Sequence, residues 1–234
     1  MKKIIKNLAF LITASLSIAA IAQPQDTVGF KYDVVVSNPL AVVAAFDKYR
    51  SGAAGTNSDV VVTLHQYLAN GTSPATHAVT VAYSSPQVMD AALAAQATSP
   101  EWAVFQLELG RASEIFSSTM WRSLGLNAGN SDVQNAPMAA GNWVYVNVDD
   151  PAAYAAAWQE WVDAEASEDR QFALIAIAAD GADGATHAVI NTARSPGAQF
   201  AQRNDQTAFT KFRKSVSGIR EVKERVRLVK VKSW

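Results

Sequence analysis

Along the chain, short runs of alternating apolar and polar residues are separated by stretches whose apolar positions recur at three and four. The order of these elements then repeats. Asp33–Val36 and Trp143–Val146 are rich in β-branched and aromatic residues. They run into Asn38-Pro39 and Asp150-Pro151, where a capping side chain precedes a proline suited to the first turn of a helix. Helices follow to about Tyr49 and Val162, each with an aromatic pair at i, i+3 spacing, Phe46/Tyr49 and Trp158/Trp161. Val60–Leu68 and Phe172–Ala179 read as strands that end at Asn70-Gly71 and Asp180-Gly181 turns, and strands return from Thr76 and Thr186. Ser85-Pro86 and Ser195-Pro196 repeat the cap-plus-proline signal and open second helices over roughly 86–109 and 196–216. Last strands are predicted over about 113–122 and 220–231.

The correspondence extends to identities. Ala75-Thr76-His77-Ala78-Val79 returns as Ala185-Thr186-His187-Ala188-Val189, and Ser85-Pro86 as Ser195-Pro196, both at an offset of 110. Pro39, Phe46 and Tyr49 match Pro151, Trp158 and Trp161 at 112, so a two-residue gap separates the blocks. Four features in one order with one small gap identify an internal repeat. Leu126–Gly141, rich in Asn, Gly, Ala and Pro, reads as the linker.

A β-α-β-β-α-β order read twice is the split βαβ, ferredoxin-like arrangement. One such sheet covers a single face with its helices and leaves the other face needing a partner. The pattern resembles the dimeric α+β barrel superfamily, which includes antibiotic-biosynthesis-monooxygenase-like, EthD-like and stress-responsive barrel proteins. The resemblance spans nearly all of the chain after residue 22 and rests on topology and repeat. It implies an α+β fold of two tandem ferredoxin-like repeats, 28–125 and 142–234, joined by the linker 126–141 into one intramolecular dimeric α+β barrel, an internal pseudo-dimer that could still oligomerise further. No catalytic residue is carried over from it.

Residues 1–22 have the form of a secretory signal of bacterial type. Lys2, Lys3 and Lys6 precede an uncharged apolar run from Leu8 to Ala22, which ends in the small-x-small sequence Ala20-Ile21-Ala22. The run is shorter than the ~20 residues of a bilayer span, so cleavage after Ala22 is expected, with no stable membrane anchor and a periplasmic or extracellular destination. Cleavage removes three of the 20 Lys and Arg, so 17 face 21 Asp and Glu for a net charge of −4. That balance argues against a nucleic-acid partner. The chain contains no cysteine, which rules out disulfides and thiolate chemistry.

Candidate chemistry is sparse. Three histidines, His65, His77 and His187, are the whole supply. His77 and His187 are repeat equivalents. They are either acid–base groups or ligand contacts at a barrel mouth, or fold residues bonding the local backbone where a strand opens. His65 stands opposite Ile175 in the repeat and breaks its symmetry. Strand alternation assigns Val62, Leu64 and Leu68, with Phe172, Leu174 and Ala178, to the helix-facing core. The opposite row holds Thr63, His65 and Tyr67 in the first copy and Ala173, Ile175 and Ile177 in the second. In the first strands it holds Asp33 and Val35, matched by Tyr145 and Asn147. His65, Tyr67, His77 and His187 are thus the catalytic candidates, and Asp33, Tyr145 and Asn147 the ligand-binding ones. Apolar walls with a few polar groups suit a small hydrophobic ligand, and equally a packed sheet interface.

The repeat-equivalent Glu114 and Glu224 are expected to face solvent or pair with nearby arginines. No metal site is expected from three scattered histidines without HxH or HExxH spacing. Some duplicated barrels of the resembled superfamily hold haem through a helical histidine. Neither second helix here has one, so no cofactor is expected. Two functions remain: an exported small-ligand-binding or interaction protein, and, as the alternative, a cofactor-independent monooxygenase-like enzyme acting on a small hydrophobic or aromatic metabolite.

Overall fold

A computed structural model describes residues 26–180, 184–201 and 206–234. The expected signal and its cleavage point lie outside these residues, as does Gly181 of the second hairpin. The first half runs β1 (Val28–Val36), α1 (Pro39–Ser51), β2 (Val60–Ala69), β3 (His77–Tyr83), α2 (Pro86–Ala97), α3 (Pro100–Ala112) and β4 (Ser113–Gly129). A 3-10 turn at Ser131–Asn135 leads into the second half. This runs β5 (Ala140–Val148), α4 (Pro151–Glu165), β6 (Arg170–Asp180), β7 (His187–Ala193), α5 (Pro196–Ala201), α6 (Gln206–Ser215) and β8 (Arg220–Ser233).

The eight strands are antiparallel throughout and close into a barrel in the order β1-β3-β2-β8-β5-β7-β6-β4. Each half contributes four adjacent strands, ordered β4-β1-β3-β2 and β8-β5-β7-β6, and the seams are β2 with β8 and β4 with β6. Closure satisfies the strand edges that each four-stranded sheet would otherwise expose.

Local chemistry fixes the helix starts. Asn38 Oδ1 accepts from Ala41 N at 3.1 Å, and Asp150 Oδ1 accepts from Ala153 N at 3.0 Å, each just ahead of a proline. Ser85 and Ser195 do the same for α2 and α5. The second helix of the first half differs from the single helix expected over 86–109. Ser99 caps a fresh start, its Oγ accepting from Trp102 N at 3.1 Å, and Pro100 cannot continue the preceding ladder, so α2 ends and α3 begins.

The last strand of the first half is longer than expected. It passes through a bulge between Ser123 and Leu126, where Gly125 takes φ +70° and donates to Ser123 Oγ, and it pairs with β6 as far as Gly129. The expected linker 126–141 therefore contributes Leu126–Gly129 to β4 and Ala140–Gly141 to β5. What connects the halves is the turn around the fully buried Val133. Asn127 and Gly129 read as a loop in sequence, whereas here they pair with Ala173 and Gln171 of β6.

Each half packs its helices on the outer face of its sheet. Phe46 and Tyr49 meet Phe105 with ring centroids 4.9 and 4.7 Å apart over Val62, Leu64 and Val79. Trp161 stacks on Phe212 at 4.9 Å, beside the fully buried Trp158 and Tyr154. The row assigned to this core leaves it at the strand ends: Leu68 is 51% exposed because the seam with β8 shifts register between Tyr67 and Ala69. A third cluster lies inside the barrel, where Trp121, Trp143, Tyr145, Ile175, Val226 and Leu228 meet. No described helix is long and apolar enough to cross a membrane.

Candidate functional site

The pleat sends alternate residues of every strand into the barrel. From the first half these are Gly29, Lys31 and Asp33 on β1, Thr63, His65 and Tyr67 on β2, Thr80 on β3, and Ser117, Thr119 and Trp121 on β4. From the second half they are Gly141, Trp143 and Tyr145 on β5, Ala173, Ile175 and Ile177 on β6, Ile190 on β7, and Val226, Leu228 and Lys230 on β8. The two walls are chemically unlike. The first carries Lys31, Asp33, His65 and most of the hydroxyl groups, and the second is mostly apolar apart from Lys230 and Glu224, which stands opposite Tyr145.

Near one end the interior holds a cavity of about 440 Å³. Trp121, Trp143, Ile175, Ile190 and Leu228 supply its apolar lining, and Thr63, Thr80, His65, Gln171 and Lys230 its polar groups, with the turn residues Gln134 and Asn135 over the rim. Two glycines make room for the indoles. A Cβ on Gly29 would overlap the Val81 carbonyl oxygen and come within 2.5 Å of the Trp121 ring, and one on Gly141 would stand 3.0 Å from Trp143 Nε1. Gly29→Ala is accordingly expected to cost about 1–3 kcal/mol, read as a lowered urea midpoint. An unchanged midpoint would mean that the strand yields freely at this point.

Deeper along the strands lies a polar cluster. The Asp33 carboxylate accepts from Lys31 Nζ at 2.6 Å, from Ser117 Oγ at 2.9 Å and from the Tyr67 hydroxyl. Lys31 is 2% exposed, and its Nζ lies 5.6 Å from the centroid of Tyr67 and 5.3 Å from that of Tyr145 across the barrel. Burial pushes the Tyr67 phenol up, and the neighbouring Asp33 adds to it, so Tyr67 stays protonated and donates.

His65 bridges the two regions. Its Nε2 is 3.3 Å from Thr80 Oγ1, while its buried Nδ1 has no hydrogen-bond partner. The Thr80 hydroxyl lies 3.5 Å from the Thr63 carbonyl; when it donates there, the threonine oxygen accepts from Nε2–H and Nδ1 is a bare acceptor. Burial, then Lys31 and Lys230, push the imidazole down to about 3, so it is neutral at physiological pH. The Trp121 indole N–H is likewise buried and without a partner.

Of the residues singled out in sequence, Asp33, Tyr67 and Tyr145 come together around Lys31, and His65 lines the cavity. Asn147 lies at the end of the β5 row opposite Glu221, outside both groups. His77 and His187 correct the mouth reading: they share rows with Val79 and Val189 and face the helices, His187 lying 6.4 Å from the Tyr154 ring. Their Nδ1 atoms meet the hydroxyls of Thr76 and Thr186 at 2.9 and 2.8 Å, in place of the backbone contact expected. Glu114 is exposed, and so is Glu224, on strands that are not neighbours. Lys31, Trp121, Trp143 and Lys230 join the site from positions that no sequence motif marks. Lys31 sits two residues before Asp33, so the same alternation points to it.

No family model matches this chain, and no curated protein does. Solved structures do. A monooxygenase candidate from Fusobacterium nucleatum aligns over 88% of this chain and 92% of its own, with a TM-score of 0.62 and 13% identity. An anthrone oxidase-like protein aligns over 91% and 94% at a TM-score of 0.58 and 11% identity. A second monooxygenase candidate, from Lactobacillus acidophilus, aligns over 89% and 99% at 0.52 and 10%. The chain thus shares the fold of these solved structures, an α+β barrel of eight antiparallel strands with helices packed outside.

Proposed function

We propose that this fold is assembled here from two copies of one domain in a single chain, an internal counterpart of a dimer, and that it binds a small, largely apolar molecule between its two sheets. The observation that carries this reading is the cavity itself. A partly open space lined by two indoles and branched aliphatic residues, with a few convergent polar groups, is the composition of a small-molecule site. The unlike walls support it, because a barrel interior needed only for packing has no use for a neutral histidine with a free acceptor nitrogen. We further propose that residues 1–22 direct export. N-terminal sequencing of the protein from a periplasmic or culture-medium fraction tests this, with Gln23 as the expected first residue.

N-phenyl-1-naphthylamine, a neutral fluorescent probe, tests the cavity. Its emission should rise on saturable binding to the wild-type chain. Ala173→Phe, which puts a ring into the cavity, is expected to weaken that binding at least about tenfold with the circular dichroism unchanged. Undiminished binding to the folded variant would place the probe elsewhere and remove the reading.

A monooxygenase-like enzyme acting on the same ligand is the second reading, and one observation favours it: the bare Nδ1 of His65 could take a proton from a bound molecule. Its basicity speaks against it. A base held down to about 3 has little drive to abstract a proton at neutral pH, since general bases work best near the operating pH. Binding is the function this chemistry supports better.

A further inference from the structure

We infer that the ligand is a planar aromatic carboxylate whose anionic end sits against Lys230. The inference rests on the cavity being a ligand site and goes on to specify its charge.

Lys230 belongs to the inward row of β8, two residues beyond Leu228 and in register with His65 on β2. Its Nζ spends one of three N–H donors on the Gln134 carbonyl, at 2.8 Å. No carboxylate among the described residues lies within ion-pair distance of it. The other lysines of this strand have such partners: Lys223 pairs with Glu221 and Lys232 with Asp47, both at 2.6 Å. Inside the barrel Lys31 is matched by Asp33 at the same distance. Lys230 is therefore the cation lining the cavity that lacks a counter-charge.

The surroundings agree with an anion. His65, in register with Lys230, has Lys31 and Lys230 as positive neighbours. The Trp121 indole N–H is a buried donor without an acceptor, and Lys230 Nζ has two N–H groups beyond the one it gives the Gln134 carbonyl. Asp59 also lines the cavity, but it stands in the turn before β2, six residues ahead of His65, and forms no ion pair with Lys230. An anionic oxygen beside Lys230 would gain charge-assisted hydrogen bonds in a partly desolvated place, where they are shorter and stronger than neutral ones. Trp143, Ile175 and Ile190 leave the rest of the ligand an apolar environment with one indole to stack on.

Displacement of N-phenyl-1-naphthylamine from the full chain by 2-naphthoate and by its neutral isostere 2-naphthamide tests the inference. At low salt 2-naphthoate should displace the probe at least about tenfold more effectively than the amide. Lys230→Met should reduce that preference to within about twofold, and Lys230→Arg, which keeps the charge, should retain it. Equal displacement by acid and amide in the wild type, or a preference that survives in Lys230→Met, overturns the carboxylate while leaving the cavity as a binding site. Failure of the naphthylamine probe itself to bind would remove the cavity reading and this inference with it.

Discussion

Asp33→Ala is expected to destabilise the protein by about 3–5 kcal/mol, the cost of removing one partner from a buried ion pair. The carboxylate accepts from Lys31, Tyr67 and Ser117, and Lys31 is 2% exposed, so its ammonium would be left in the barrel without a counter-charge. For a domain of this length that loss corresponds to a fall in melting temperature of about 10 °C. The remedy is as informative as the damage. Replacing both partners, Lys31→Met with Asp33→Leu, leaves no buried charge and should restore most of the stability, because a well-packed apolar pair often matches a buried ion pair. Thermal or urea unfolding of the two single variants and the double one closes the cycle. Additive losses would show that the pair is not coupled, contrary to the 2.6 Å contact.

The second large effect is loss of stability in acid, beginning above the range in which carboxylates titrate. His65 has a folded value of about 3 against an ordinary 6.5, so below pH 6.5 the unfolded chain takes up a proton that the native barrel refuses. The stability is complete above about pH 6.5 and declines as the pH falls towards 3. Between pH 7 and 4.5 His65 alone should remove about 2–3 kcal/mol. Burial depresses His77 and His187 as well, and both act in the same direction as the pH falls below 6.5. Urea midpoints at the two pH values, compared between wild type and His65→Gln, isolate the first contribution. The variant should lose less stability on acidification, and parallel losses would show that His65 is protonated freely in the native state.

The architecture was legible because its signals are local and were met twice. Asn38-Pro39 and Asp150-Pro151 announce helix starts by the chemistry of a cap and a missing N–H, and the structure has helices at both. Strand alternation placed His65 on the inner face, since a period of two leaves only two choices. The same parity would have set His77 beside Val79 on the helix face, had the row been counted rather than the motif weighed. Ser99-Pro100 carries the same start signal as Ser85-Pro86 and was hidden by the apolar pattern running on through it.

The depth of each inward residue along the barrel was not legible. Alternation says inside or outside, whereas the stagger between strands decides whether Trp121 stands level with Gly29 or with Asp33. That stagger depends on bulges at Asp33/Val34, Ser123/Leu126 and Tyr67/Ala69. The cavity follows from the same offsets and could not be read before they were known.

The unlike walls have one more consequence. When two identical chains close a barrel, every inward group appears twice about a central axis. Such an interior presents two equal berths, or one berth that a molecule can enter in either of two poses. Here Lys230 and His65 occur once, and the Gln134–Asn135 turn crosses a single rim. A guest would therefore meet one set of polar groups, and titration should saturate at a single equivalent per chain. A substitution at either residue alters all of the occupied sites and not half of them.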